Sequence, residues 1–91
     1  MYYTYLLLCA DGSYYAGSTD DPRRRTAAHN AGRGAKYTRS RLPVELAYVC
    51  AWPDKSAALK EEYRLKHLTH AQKADLCAEN PLENTSFAEK T

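Results

Sequence analysis

A small domain of the α/β class, α+β in type, with one three-stranded antiparallel sheet flanked by three helices, is the fold this chain predicts. Three observations carry the prediction. The 91 residues suffice for one hydrophobic core and leave no room for a second. Apolar patterning falls in the order strand, strand, helix, strand, helix, helix. The first two strands meet at Asp11-Gly12, a tight turn, and strands joined that way run antiparallel. Helices packed against one such sheet complete the architecture.

Tyr2 to Cys9 reads as the first strand, rich in aromatic residues and leucine and apolar on both faces. Ser13 to Ser18 returns as the second. Asp21 is placed to cap a helix whose first position is Pro22, where a missing N–H costs nothing. That helix should run to about Ala31 and stop at Gly32. Arg33 to Leu42 is a basic loop with a flexible point at Gly34. Val44 to Trp52 is the third strand, ended by Pro53. Asp54 or Ser56 caps a helix reaching about Leu68, and Thr69 to Gln72 form a capping box for another that ends before Asn80-Pro81. The domain is therefore expected over residues 1–80, with a loosely ordered polar tail over residues 81–91.

Five of the eight tyrosines (Tyr2, Tyr3, Tyr5, Tyr14 and Tyr15) lie on the first hairpin. Its loop length decides whether they cooperate. A two-residue loop puts Leu8 opposite Tyr15 and sends Tyr5 and Tyr15 to opposite faces. A three-residue loop, Ala10-Asp11-Gly12, sets Tyr5 opposite Gly17 and makes Tyr15 its diagonal neighbour on the same face. Gly12 suits the left-handed residue that loop needs, and Gly17 would leave room beside a phenol ring. Periodicity does not choose between them, and tyrosines also pad sheets without further purpose.

Charge is distributed unevenly. Between Pro22 and Pro43 stand Arg23, Arg24, Arg25, Arg33, Lys36, Arg39 and Arg41 with no acidic residue, whereas the chain from Asp75 onward is mainly acidic. Such a block fits a polyanion, phosphate above all, better than a merely solvated face. No apolar stretch is long enough to span a bilayer, and Tyr5 to Ala10 has neither the basic flank nor the cleavage site of a signal peptide. The expectation is a soluble, cytoplasmic protein with no membrane partner. Cys9, Cys50 and Cys77 are odd in number, form no Cys-x-x-Cys pair and read as buried apolar residues.

Tyr3-Thr4-Tyr5, a turn, then Tyr15-Ala16-Gly17 and an arginine on the following helix resemble the GIY-YIG nuclease superfamily. The likeness continues through "RRRTAAHNAGRGAKYTR" and "SAALKEEYRLK", covers roughly residues 2 to 78, and is closest to the small stand-alone UPF0213-like members. It is more distantly similar to the nuclease domains of endonucleases that cut branched DNA. The resemblance implies a GIY-YIG-like fold and makes Tyr5 and Tyr15 the tyrosines of the two triplets, Gly17 the glycine, Arg25 the helical arginine, His29 the residue one turn later, and Glu62 the metal-binding carboxylate. Tyr3 and Thr4 replace the first Gly and Ile, and Ala16 the second Ile, at positions that pack rather than react. Ser18 stands where some relatives have lysine, which implies weaker phosphate binding.

The chemistry suits these residues. Hydrolysis of a phosphodiester needs an activated water, counter-charge on the phosphate and help for the leaving oxygen. One Mg²⁺ (or Mn²⁺) held by a carboxylate and an arginine at the non-bridging oxygens meet the last two needs. A tyrosine relays the water's proton if its pKa, about 10 unperturbed, is lowered by nearby cations. The resemblance implies Tyr5 as general base and Tyr15 as the group that positions water or phosphate. Arg25 and His29, four apart, share a helix face. Ala58, Leu59 and Leu65 span an apolar arc that contains Glu62, while Glu61 lies between Leu65 and Leu68, so periodicity alone does not choose the carboxylate; a salt bridge to an arginine is the plainer use of Glu62. Arg24 is a candidate phosphate contact. In the loop, Lys36, Arg39 and Arg41 would hold phosphates while Tyr37 stacks on an unpaired base. His67 and His70 straddle a helix boundary and are read as non-catalytic.

The expected activity is metal-dependent hydrolysis of a phosphodiester in nucleic acid, with DNA, branched or structured, ahead of RNA. The alternative is a nucleic-acid-binding module without turnover. A small interaction protein built on the tyrosines would leave the arginines unexplained. A domain this small is short of surface for recognising a long site, which leaves room for a helper protein or a homodimer, though nothing in the sequence calls for either.

Overall fold

The structure, a computed structural model, describes residues 1–82. Seven elements follow in order: β1 (Tyr2–Leu8), β2 (Tyr14–Thr19), α1 (Pro22–Asn30), α2 (Lys36–Arg39), β3 (Glu45–Trp52), α3 (Lys55–Lys66) and α4 (His70–Glu79). The strands form one antiparallel sheet, as expected, and their order in it is β2-β1-β3. Most of the expected tail, residues 83–91, lies outside the described residues. No helix among the described residues is long and apolar enough to cross a membrane.

The hairpin adopts the three-residue loop. Cys9 N–H donates to Ser13 O at 2.8 Å, Gly12 N–H donates to Cys9 O at 2.9 Å, and Gly12 takes φ +85°. Glycine carries that angle without the steric penalty a side chain would add. Tyr5 therefore lies opposite Gly17, and Leu7 opposite Tyr15. Period-two alternation then divides the core between two faces. Tyr5, Leu7, Cys9 and Val44 pack with Tyr15 on one, and Leu6, Ala16, Tyr48 and Leu65 on the other.

Helix caps match the sequence. Asp21 accepts from Arg24 N–H with Pro22 at the start of α1. Of the two candidates for α3, Asp54 is the cap, accepting from Ala57 N–H. Thr69 and Gln72 form both bonds of the capping box on α4.

Three details differ from expectation. The basic loop contains a one-turn helix, α2, in which Thr38 N–H and Thr38 Oγ1 both bond to Ala35 O, at 3.2 and 2.9 Å. Four residues are too few to show a period. Leu59 is 46% exposed, so the buried stripe of α3 is Ala58 and Leu65 alone, with Glu61 and Glu62 on its two edges. Cys9 is buried, but Cys50 and Cys77 are half-buried; all three are free thiols.

Candidate active site

The site lies along β2, an edge strand, where its third residue in sequence order after Tyr14 is Gly17. A Cβ on Gly17 would come 2.5 Å from the Tyr5 hydroxyl and 2.6 Å from its ring carbon. The missing side chain is the space through which the Tyr5 phenol crosses β2. Beyond it, Tyr5 Oη lies 3.1 Å from Nε2 of His29, which α1 delivers from the same face of the sheet. The Arg25 guanidinium, one turn earlier on α1, also bonds to the Tyr5 hydroxyl. Tyr15 meets the imidazole edge-on, with ring centroids 5.3 Å apart. Tyr5 and His29 are 1% and 0% exposed, so two phenols, an imidazole and a guanidinium converge at one largely buried point.

Glu62 arrives from the opposite face. Helix α3 lies on β1 and β2, tied down by Thr4 Oγ1 donating to Ala58 O at 2.8 Å. Ser18 alternates with Gly17 and therefore points toward α3, where its hydroxyl donates to Glu62 Oε1 at 2.5 Å. Lys66, one turn later, pairs with Glu62 Oε2 at 2.8 Å. The Glu62 side chain is 18% exposed, and its charge reaches the Tyr5 phenol. Glu61 instead grips Arg64 with both oxygens, at 2.7 and 2.6 Å. Both carboxylates therefore hold a salt bridge, Glu62 with Lys66 and Glu61 with Arg64, and of the two it is the charge of Glu62 that acts on Tyr5.

Burial dominates the electrostatics. Loss of solvation pushes Tyr5 up to about 12, against the Arg25 bond that lowers it; the charges of Tyr15 and Glu62 add to the rise. The expectation that cations would bring this phenol down is reversed in the protein alone, because a phenol so enclosed loses more from dehydration than one guanidinium returns. His29 is pushed down by burial and then by Arg25, and so is neutral near pH 7. Lys66 is pushed up mainly by its bond to Glu62, with Tyr15 contributing.

Among the described residues no cluster of three metal-ligating side chains exists. That rules out a dedicated protein cage but not a hard cation on one carboxylate, because Mg²⁺ retains water and takes substrate phosphate oxygens as further ligands. Glu62 is the carboxylate that could take that role, by exchanging Ser18 or Lys66 for the ion.

The basic loop is less uniform than its composition. Lys36 and Arg39 are exposed. Tyr37 stacks near Tyr15, with centroids 6.0 Å apart, and so flanks the site. Arg41 has internal partners: it lies 3.9 Å over the Tyr37 ring, donates to Tyr37 O at 2.7 Å and pairs with Asp11 at 3.0 Å. It ties α2 to the hairpin turn. Arg24 faces solvent and pairs with Asp20 at 3.1 Å. His67 bonds to Tyr63 O and packs on the Tyr63 ring, and His70 bonds to Gly12 O beside the Tyr14 ring.

Three site residues escaped the sequence reading. Lys66 was detectable as the i+4 partner of Glu62. Thr38, which holds the far nitrogen of His29 at 2.8 Å, and Asn30, whose side chain makes two bonds to the Val44 backbone at 2.9 and 2.7 Å, gave no pattern to read.

The chain is similar to known proteins. A UPF0213 protein of Lacticaseibacillus paracasei is 52% identical over 82 residues, 90% of this chain and 92% of its own. Another, from Halobacterium salinarum, is 51% identical over 76 residues, covering 84% of this chain and 99% of its own. The solution NMR structure of the UPF0213 protein BH0048 from Bacillus halodurans superposes with a TM-score of 0.57 at 45% identity, over 94% of this chain and 95% of that one. The GIY-YIG catalytic domain matches residues 1–75, the segment that contains both tyrosines, Arg25, His29 and Glu62, and the chain belongs to the GIY-YIG family.

Proposed function

We propose that this chain hydrolyses phosphodiester bonds in structured DNA with Mg²⁺ or Mn²⁺ bound at Glu62. The observation that carries the reading is the Tyr5 hydroxyl, which touches both Arg25 and His29 within electrostatic reach of a carboxylate from the opposite face of the sheet.

Tyr5 takes a proton from the attacking water. Arg25 neutralises the non-bridging oxygens, where charge grows in the transition state. Tyr15, packed on His29, orients the phosphate and the water. A cation bound at Glu62 would polarise the phosphate and stabilise the leaving oxygen. Lys66 supplies a cation beside Tyr15 in a chain whose β2 carries Ser18 where some relatives carry lysine. Lys36 and Arg39 hold the flanking strand by its phosphates.

One observation favours a binding module without turnover: both oxygens of Glu62 already have partners within the chain, Ser18 and Lys66. The two readings separate when wild type and Glu62→Gln are incubated with linear, flapped and four-way DNA, with and without Mg²⁺. Nicks by wild type alone, only with metal, are expected, while both proteins bind DNA with an affinity that falls steeply with salt. Nicks absent under every condition would leave the binding reading. A flat salt dependence would remove the phosphate contacts as well.

A further inference from the structure

The loop after α1 folds back over His29, and Gly34 and Thr38 pack against the imidazole. Gly34 lies so close to the imidazole that any side chain there would overlap the ring. Thr38 is fully buried, as is His29. Thr38 Oγ1 sits 2.8 Å from His29 Nδ1 and 2.9 Å from Ala35 O. Ala35 N–H approaches Nδ1 at a longer 3.4 Å. On the other side of the ring, Nε2 is 3.1 Å from Tyr5 Oη.

These contacts allow two proton allocations, and they are unequal. A carbonyl oxygen only accepts, so the short Thr38 to Ala35 contact uses the single hydroxyl proton of Thr38. The contact between Thr38 Oγ1 and Nδ1 must then be an Nδ1–H donating to oxygen. Nε2 is left with its lone pair, and the Tyr5 O–H donates to it. All three short contacts are satisfied, and only the long Ala35 N–H contact is lost. The opposite allocation saves that weak contact but leaves Thr38 Oγ1 and Ala35 O facing each other at 2.9 Å with no proton between them. Ala35 O keeps the Thr38 N–H at 3.2 Å, but two oxygens in contact with no proton between them repel each other, which outweighs one bond at the limit of range.

We propose that Thr38 is a positioning residue that holds His29 in its Nδ1–H tautomer, so that His29 Nε2 accepts the phenolic proton of Tyr5 as Tyr5 accepts one from water. The proposal rests on the nuclease reading of the site. It supplies what a phenol raised by burial otherwise lacks, a route by which Tyr5 acts as a base without ever existing as a free phenolate. In balance, an O–H bond of water breaks and its oxygen bonds to phosphorus. The water's proton goes to Tyr5 Oη, the proton of Tyr5 goes to Nε2, and His29 becomes an imidazolium. The P–O bond to the leaving group breaks with its electron pair on that oxygen, which takes a proton from solvent. After release, the proton on His29 returns through Tyr5 to solvent and restores the resting state.

The test compares wild type, Thr38→Val and Thr38→Ser. Long-range ¹H–¹⁵N NMR of the imidazole at pH 7.5, without DNA or metal, reads which nitrogen carries hydrogen, and the amide spectrum reports folding. Wild type should show His29 protonated on Nδ1. Thr38→Val removes the acceptor and should shift His29 toward the Nε2–H form, with kcat on DNA falling about 100-fold and KM little changed, the lower end of what a positioned proton transfer contributes. Thr38→Ser should recover both the tautomer and the rate. His29 protonated on Nε2 in wild type, or a Thr38→Val protein that keeps both tautomer and kcat, overturns the proposal. Wild-type protein with the Nδ1–H tautomer but no cleavage overturns the nuclease reading and the catalytic use of this proton path, and leaves the tautomer assignment standing.

Discussion

Gly17→Ala is the smallest change that should disable the site. The added carbon would stand 2.5 Å from Tyr5 Oη, 2.6 Å from Cζ and 3.1 Å from Cε2, where non-bonded carbon prefers about 3.5–4.0 Å. The phenol must retreat by about 1 Å. It cannot do so freely, because Tyr5 is 1% exposed and packed by Leu7, Val44 and Tyr15. Overpacking of this kind costs about 1–3 kcal/mol, a fall in Tm of roughly 5–20 °C for a domain of this size. The same retreat stretches or breaks the 3.1 Å bond to His29. Misplacement of a catalytic group by about 1 Å costs on the order of 100-fold in rate. Thermal unfolding gives the first number and cleavage of flapped or four-way DNA the second, measured where the variant is folded. A Gly17→Ala protein as stable as wild type, with undiminished cleavage, would show that the tyrosine does not cross β2 at Gly17 and would refute the geometry.

Asn30→Ala removes both bonds to the Val44 backbone, leaves a buried N–H and C=O unpaired, and should cost about 1–3 kcal/mol by urea unfolding; a loss below about 0.5 kcal/mol would argue that Asn30 does not clamp α1 to β3. Stability should also fall at high pH. The folded Tyr5 phenol is raised from 10.0 to about 12, so its contribution is complete below pH 10 and is lost as the pH rises through about 12, on the order of 2–3 kcal/mol at most. Tyr5→Phe should shrink this alkaline limb without removing it, since burial also raises Tyr48; an unchanged limb would contradict the burial of Tyr5. His29 is depressed in the folded state, so its contribution is present above about pH 6.5 and lost as the pH falls through the folded value. Replacing it with glutamine should make the acid limb of unfolding shallower.

What the amino-acid sequence determined alone was local. Asp21 with Pro22, Thr69 with Gln72 and Asp11-Gly12 act over a few residues, so each is decided by backbone hydrogen bonds within one turn and can be read in order. Strand alternation likewise gave two loop lengths and their two consequences for Tyr5 and Tyr15, and the family likeness singled out Glu62. The rest depended on groups far apart in the chain. The partners of the two carboxylates were not all legible: Glu62 bonds to Ser18, 44 positions away, and to Lys66, whereas Glu61 bonds to Arg64. The sign of the Tyr5 shift was decided by how deeply α1, β2 and their side chains enclose the ring, since desolvation depends on all neighbours at once and charge composition counts only some of them. Thr38 looked like one more residue of a basic loop, and only the fold of that loop over α1 put its hydroxyl against His29.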